Sequence, residues 1–103
     1  MGATRTKLKG KQEAISVRNT SVNTGTDQWN WTIYIDTNAE TLSSINCVEY
    51  TLHPSFPDPV RTTCEGANNF SLTSSGWGTF EVEVRVMFKD STEEYLTYML
   101  ELG

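Results

Sequence analysis

Within TLHPSFPDPVR, residues 51 to 61, stand the chain's only histidine, a serine two positions on, a phenylalanine beside it and all three prolines. In an extended backbone that spacing puts His53 and Ser55 on one side. An imidazole nitrogen there can fix the direction of the Ser55 hydroxyl proton. Phe56 opens the run Phe56-Pro57-Asp58-Pro59, where the prolines fix φ and stiffen the mount of the ring. A hydrolytic reading would make His53 the base and Ser55 the nucleophile, with Asp58 or Asp90 as orienting acid. Both groups sit on one short loop, no oxyanion donors are evident and nothing resembles a nucleophile elbow, so the chain is not expected to be an enzyme. One histidine and two cysteines seventeen apart are no metal-ligand set, and no cofactor is expected.

A second group is Ser74-Ser75-Gly76-Trp77-Gly78. Glycines on both sides of a tryptophan permit positive φ and let a ligand approach main-chain N–H groups. The indole can then be displayed to solvent; the competing reading folds it back onto the core. Because this GWG follows turn residues and leads into a strand, it is no dinucleotide or phosphate loop.

The elements around these loops read as strands, because the apolar positions alternate with period two. In WNWTIYID, residues 29 to 36, Trp29, Trp31, Ile33 and Ile35 share a face. In TFEVEVRVMFK, residues 79 to 89, Phe80, Val82, Val84, Val86 and Phe88 do so, as do Leu96, Tyr98, Leu100 and Leu102 in 94 to 102. Val48, Tyr50 and Leu52 mark a strand over 46 to 53, and shorter strands are expected at 13 to 18 and 69 to 73. Lys89-Asp90-Ser91-Thr92 reads as a hairpin turn, and one helical turn fits 39 to 44. Pro54 ends the 46–53 strand, since proline cannot donate to a sheet ladder, and leaves a water-facing loop at the rim. Six or more one-sided antiparallel strands must cover one another's apolar faces, which gives an all-β, two-sheet antiparallel sandwich, immunoglobulin-like at most because no Trp lies between Cys47 and Cys64.

The chain has 103 residues and a net charge of −5. Arg5, Lys7, Lys9 and Lys11 are half of its eight basic residues; from residue 12 onward four basic residues face thirteen acidic ones. Residues 1–12 therefore read as a flexible basic lead-in and 13–103 as one acidic domain. Such a body disfavours the nucleic-acid backbone and suits a cationic peptide. Two cysteines are too few for a disulfide scaffold, and no signal or membrane-spanning stretch is seen, so Cys47 and Cys64 are expected to be thiols in a cytoplasmic protein that does not engage a membrane. Three Asn-x-Ser/Thr sequons and a loose myristoylation pattern at Gly2 are put down to composition.

The block VEYTLHPSFPDPVRTT, then Phe70-Ser71-Leu72, then SGWGTFEVEVRVMF, resembles the YEATS domain family. Members show a strand running into an H-x-S-F-x-x-P loop, followed by a Gly-aromatic loop and an alternating strand. WNWTIYID is similar to the family's early strand. The match spans roughly residues 13 to 102, and the GWG form is closer to the prokaryotic branch. The resemblance implies an Ig-like sandwich whose rim loops read acylated lysine, with His53, Ser55 and Phe56 on the first loop. On the second, Trp77 would be the other sandwiching aromatic, flanked by Gly76 and Gly78. No counterpart is seen of the acidic residues that chromatin readers use to hold a histone peptide. The expected function is thus a reader of acyl-lysine on a protein, within a larger polypeptide or complex; the alternative is a plain docking module in which Phe56 and Trp77 form an apolar patch.

Overall fold

The computed structural model describes residues 15–102. Among the described residues, seven strands form in chain order: β1 (Ser16–Gly25), β2 (Gln28–Asp36), β3 (Ile45–Thr51), β4 (Val60–Thr63), β5 (Leu72–Gly76), β6 (Glu81–Phe88) and β7 (Glu93–Met99). A helix, α1 (Ala39–Ser43), and a 3-10 turn (Gly66–Asn68) lie between them. The strands make two antiparallel sheets, ordered β1-β2-β5 and β4-β3-β6-β7.

The alternation seen in the sequence sets which side chains meet between the sheets. Trp31, Ile33 and Ile35 from β2 are buried against Val48 and Tyr50 from β3 and Val82, Val84, Val86 and Phe88 from β6. Each such side chain contributes about 1.5–3 kcal/mol when fully buried. Where the chain crosses between sheets, Asn69 and Phe70 take positive φ, 60° and 53°. That unfavourable backbone is held by three bonds: the buried Tyr50 hydroxyl donates to the Phe70 carbonyl at 2.7 Å, Ile35 N donates to the Asn69 carbonyl at 3.0 Å, and Asn69 Nδ2 donates to the Ile35 carbonyl at 3.1 Å. Burial pushes the Tyr50 phenol far above its ordinary range. At the opposite edge, Asn19 ties the segment after β7 to β1: its Oδ1 accepts from Tyr98 Oη and Glu101 N, and its Nδ2 donates to the Glu101 carbonyl.

The hairpin turn at 89–92 forms as expected, with Phe88 N donating to the Thr92 carbonyl at 2.8 Å and Asp90 Oδ1 accepting from Thr92 N at 3.0 Å. The expected helical turn is α1, capped by Asn38 Oδ1 on Thr41 N at 2.7 Å. Three strands depart from the sequence reading: β5, expected at 69–73, runs Leu72–Gly76 and so takes Ser74–Gly76 from the expected loop. β1 runs to Gly25 instead of stopping at 18, and β4 had no sequence signal, because none of its four side chains is buried. The basic lead-in, residues 1–12, lies outside the described residues.

The cysteines require a correction. Cys47 and Cys64 are not thiols: they form a disulfide, with Cα atoms 4.2 Å apart. Val48 pairs with Thr63, so the next rung of the same antiparallel ladder brings position 47 opposite position 64. The seventeen positions between the cysteines are bridged by the β3–β4 hairpin, and without β4 that juxtaposition could not be seen. The thiol argument for a cytoplasmic protein falls with it. Among the described residues, no helix is long and apolar enough to cross a membrane.

Candidate functional site

The β3–β4 connection, residues 52–59, and the β5–β6 connection, residues 77–80, reach the same rim of the sandwich. Between them lies an open cleft of about 310 Å³, whose walls include His53, Ser55, Phe56, Gly76, Trp77 and Gly78. All six residues singled out in the sequence therefore converge, although twenty positions separate the two groups. Pro57, Ser75, Thr79 and Phe80 complete the lining. No Lys, Arg, Asp or Glu side chain is among them. A volume near 300 Å³ is at the small end of ligand pockets, enough for one side-chain tip.

The first loop is closed at its base by Leu52 N donating to the Pro59 carbonyl at 2.8 Å and turned by Phe56 N donating to the His53 carbonyl at 3.0 Å. His53 Nδ1 accepts the Ser55 amide N–H at 3.1 Å and stands 2.9 Å from Ser55 Oγ. An atom that accepts an N–H carries no proton of its own, so the imidazole proton resides on Nε2. The Ser55 hydroxyl proton is then directed to Nδ1, which leaves the Oγ lone pairs as acceptors for an incoming N–H donor.

Phe56 and Trp77 differ in their surroundings. Phe56 is half-buried and leans on the core cluster, with its ring centroid 5.2 Å from Phe80 and 6.2 Å from Trp31. Phe80 bridges Trp31 (6.0 Å) and His53 (6.2 Å). These edge-on and tilted contacts make one aromatic floor, each contact worth about 0.5–1.5 kcal/mol beyond its buried area. The Trp31 indole N–H beneath it has no hydrogen-bond partner among the described residues, a desolvation cost of about 1–3 kcal/mol. Trp77, by contrast, is 77% exposed. The cleft thus has one anchored aromatic wall and one displayed indole.

Neither Gly76 nor Gly78 uses the left-handed φ that glycine permits. Gly76 ends β5, opposite Trp29. A Cβ built there would stand 3.7 Å from Phe56 Cζ, so the missing side chain leaves room beside the Phe56 ring. Around Gly78 a Cβ would meet nothing within 4 Å, which keeps the backbone next to the indole open. The residue in this neighbourhood with positive φ is Asp58, at 50°.

Two participants were missed by sequence reasoning. Phe80 was assigned to the core face of the strand; its signal was its place as the first apolar residue after the GWG loop, where an inward side chain meets the rim. Arg61 gave no signal. From β4 its Nε donates to the Asp58 carbonyl and its Nη2 to the Pro57 carbonyl, both at 2.9 Å, and its guanidinium carbon lies 5.9 Å from the Phe56 ring centroid. It splints the loop from behind.

Fold and rim together define a two-sheet sandwich with an uncharged, aromatic-floored cleft between two end loops. The prokaryotic YEATS domain family matches residues 29–101, and the chain belongs to that family. Among curated proteins it is similar to the Protein AF-9 homologs of Kluyveromyces lactis (39% identical over 66 residues) and Eremothecium gossypii (41% over 66). Those alignments cover 62% of this chain but only 29% and 31% of the relatives, so the chain corresponds to less than a third of their length. Among solved structures it is similar to a Yaf9 YEATS domain recognising an H3K122suc peptide (TM-score 0.69, 25% identity, 94% of this chain and 80% of that one). It is also similar to a Yaf9 YEATS domain bound to H3K27ac (TM-score 0.63, 25% identity, 91% and 78%).

Proposed function

We propose that this domain is a non-catalytic reader that takes an acylated lysine of a partner protein into the rim cleft. The observation that carries the reading is the meeting of His53, Ser55 and Phe56 with Gly76, Trp77 and Gly78 around a cleft without a charged wall. Acylation turns the lysine tip into a flat neutral amide with an apolar tail. The tail packs on the Phe56–Phe80 floor and under the Trp77 indole. The amide N–H donates to Ser55 Oγ, whose own proton is held by His53, and a backbone N–H near Trp77 or Gly78 serves the acyl carbonyl. An unmodified ammonium finds no carboxylate in the cleft and pays its full desolvation, so it is excluded. The acylated histone H3 peptides in the Yaf9 structures support the same ligand class. Contact through one side-chain tip corresponds to micromolar affinity, about −6 to −8 kcal/mol.

The exposure of Trp77 favours a second reading, in which the indole and the cleft mouth dock a protein surface irrespective of acylation. Calorimetric titration with peptides bearing acetyl-, propionyl- or crotonyl-lysine, against the same peptide unmodified, separates the two. Binding of the acylated forms alone supports the reader; equal binding of all, or of none, rejects it.

A further inference from the structure

We propose that the Cys47–Cys64 disulfide is a reversible redox clamp that keeps the cleft loop ordered. This inference concerns the loop itself and stands whether or not the cleft takes acyl-lysine.

β4 is an edge strand, paired only with β3 through four rungs, from Val48 opposite Thr63 to Thr51 opposite Val60. None of its four side chains is buried, so it has no anchor in the core. Such strands open locally at low free energy because little apolar surface must be exposed. The covalent link from Cys64 to Cys47 prevents that opening at one end. At the other end, Arg61 of this strand donates to the Pro57 and Asp58 carbonyls and lies against Phe56. The position of β4 therefore sets the position of the cleft loop, and the disulfide sets the position of β4.

Neither half-cystine is buried. Cys64 is exposed and Cys47 half-buried. Cys64 also lines an open hollow of about 420 Å³ at the α1 end, beside Lys89 and Gly66, with room for a small reductant. A dithiol delivers the change in two exchanges. Its thiolate attacks Cys64 Sγ and forms a mixed disulfide, and Cys47 Sγ leaves as a thiolate that takes up a proton. The second thiol of the reductant then displaces Cys64, which is protonated in turn. Two electrons and two protons pass to the protein, and the reductant leaves as a disulfide. In a reducing compartment, disulfides of mesophile proteins are mostly transient and redox-sensing, which suits an exposed bond on an edge strand.

Amide hydrogen exchange on the whole chain, with and without dithiothreitol, tests the clamp. Reduction is expected to speed exchange at Leu52 and Phe56 at least tenfold while the β6 amides of residues 82 to 86 keep their protection. The same local pattern is expected without reductant in the Cys47→Ser/Cys64→Ser protein. If that variant fails to fold, reduced wild type carries the comparison, its chain being unaltered. Unchanged exchange at residues 52–56, or loss of protection throughout β6, would overturn the proposal. Arg61→Lys in the oxidised protein keeps the charge but not the fork on two carbonyls, and it should loosen residues 53–58 with the disulfide intact. A rigid loop in that variant would remove the link between β4 and the cleft.

Discussion

His53 Nδ1 accepts the Ser55 amide at 3.1 Å and faces the Ser55 hydroxyl at 2.9 Å, so one ring nitrogen fixes both the turn and the direction of a rim hydroxyl. This geometry requires the neutral imidazole to carry its proton on Nε2. Long-range ¹⁵N–¹H correlation of the His53 ring at neutral pH should show the Nε2–H tautomer. Ser55→Ala removes one ligand acceptor, and should weaken an acyl-lysine peptide by about tenfold, the equivalent of roughly 1.4 kcal/mol, with little change in unfolding midpoint.

The two aromatic walls should respond differently to truncation. Trp77 is 77% exposed, so Trp77→Ala is expected to abolish peptide binding while stability changes by less than about 0.5 kcal/mol. Phe56 rests on Phe80 and Trp31, so Phe56→Ala should cost both binding and roughly 1–3 kcal/mol in denaturant unfolding. Chemical denaturation of the two variants beside a binding titration separates these cases.

The glycines give a steric test. Gly76→Ala brings a methyl into ordinary contact with Phe56 Cζ, at 3.7 Å, and both glycines have backbone angles open to any residue. Folding is therefore expected to tolerate alanine at either position. Gly76→Ala should reduce acyl-peptide affinity severalfold by narrowing the cleft, whereas Gly78→Ala, with nothing within 4 Å, should act only through the adjacent backbone. Equal and large losses of stability in both variants would show that these positions are conformationally constrained.

How much of this was legible follows from where the signals lie. The period-two runs in residues 29–36 and 79–89 reported a core face, and Trp31, Ile33, Val82, Val84 and Val86 are buried between the sheets. The six rim residues could be named because histidine, proline, glycine and tryptophan have strong local meaning. β4 was silent because Val-Arg-Thr-Thr buries nothing, and losing it also hid the disulfide and the Arg61 splint. Phe80 was read as core because its inward direction is the same whether the space beside it is filled or open.

Two contacts away from the rim bear on stability. Arg85 forks onto Glu93, with Nη2 to Oε2 at 2.7 Å, and Tyr95 donates to the same carboxylate at 2.6 Å. The Arg85 hydrogen bond, with help from Tyr95, holds the Glu93 carboxyl below its ordinary 4.5. A depressed carboxyl stabilises the fold above that ordinary value, and its contribution is lost as pH falls through the lowered one. Wild type should therefore lose stability on acidification below about pH 4.5 more steeply than Glu93→Gln, as followed by urea midpoints across pH 2.5 to 6.

Tyr50→Phe deletes the hydroxyl that donates to the buried Phe70 carbonyl. The orphaned acceptor and the positive-φ pair Asn69–Phe70 should together cost about 1–3 kcal/mol in denaturant unfolding, with the cleft unaffected. A stability loss within error would mean that the crossover between the sheets does not depend on this bond.

The most direct measurement is a ¹⁵N NMR titration of the intact chain with one short peptide in acetylated and unmodified forms. The account predicts that the acetylated peptide shifts the amides of His53, Ser55 and Phe56 and those of residues 75–80 together, with a single micromolar affinity, and that the unmodified peptide shifts neither. Shifts confined to one loop, or identical shifts with both peptides, would contradict it.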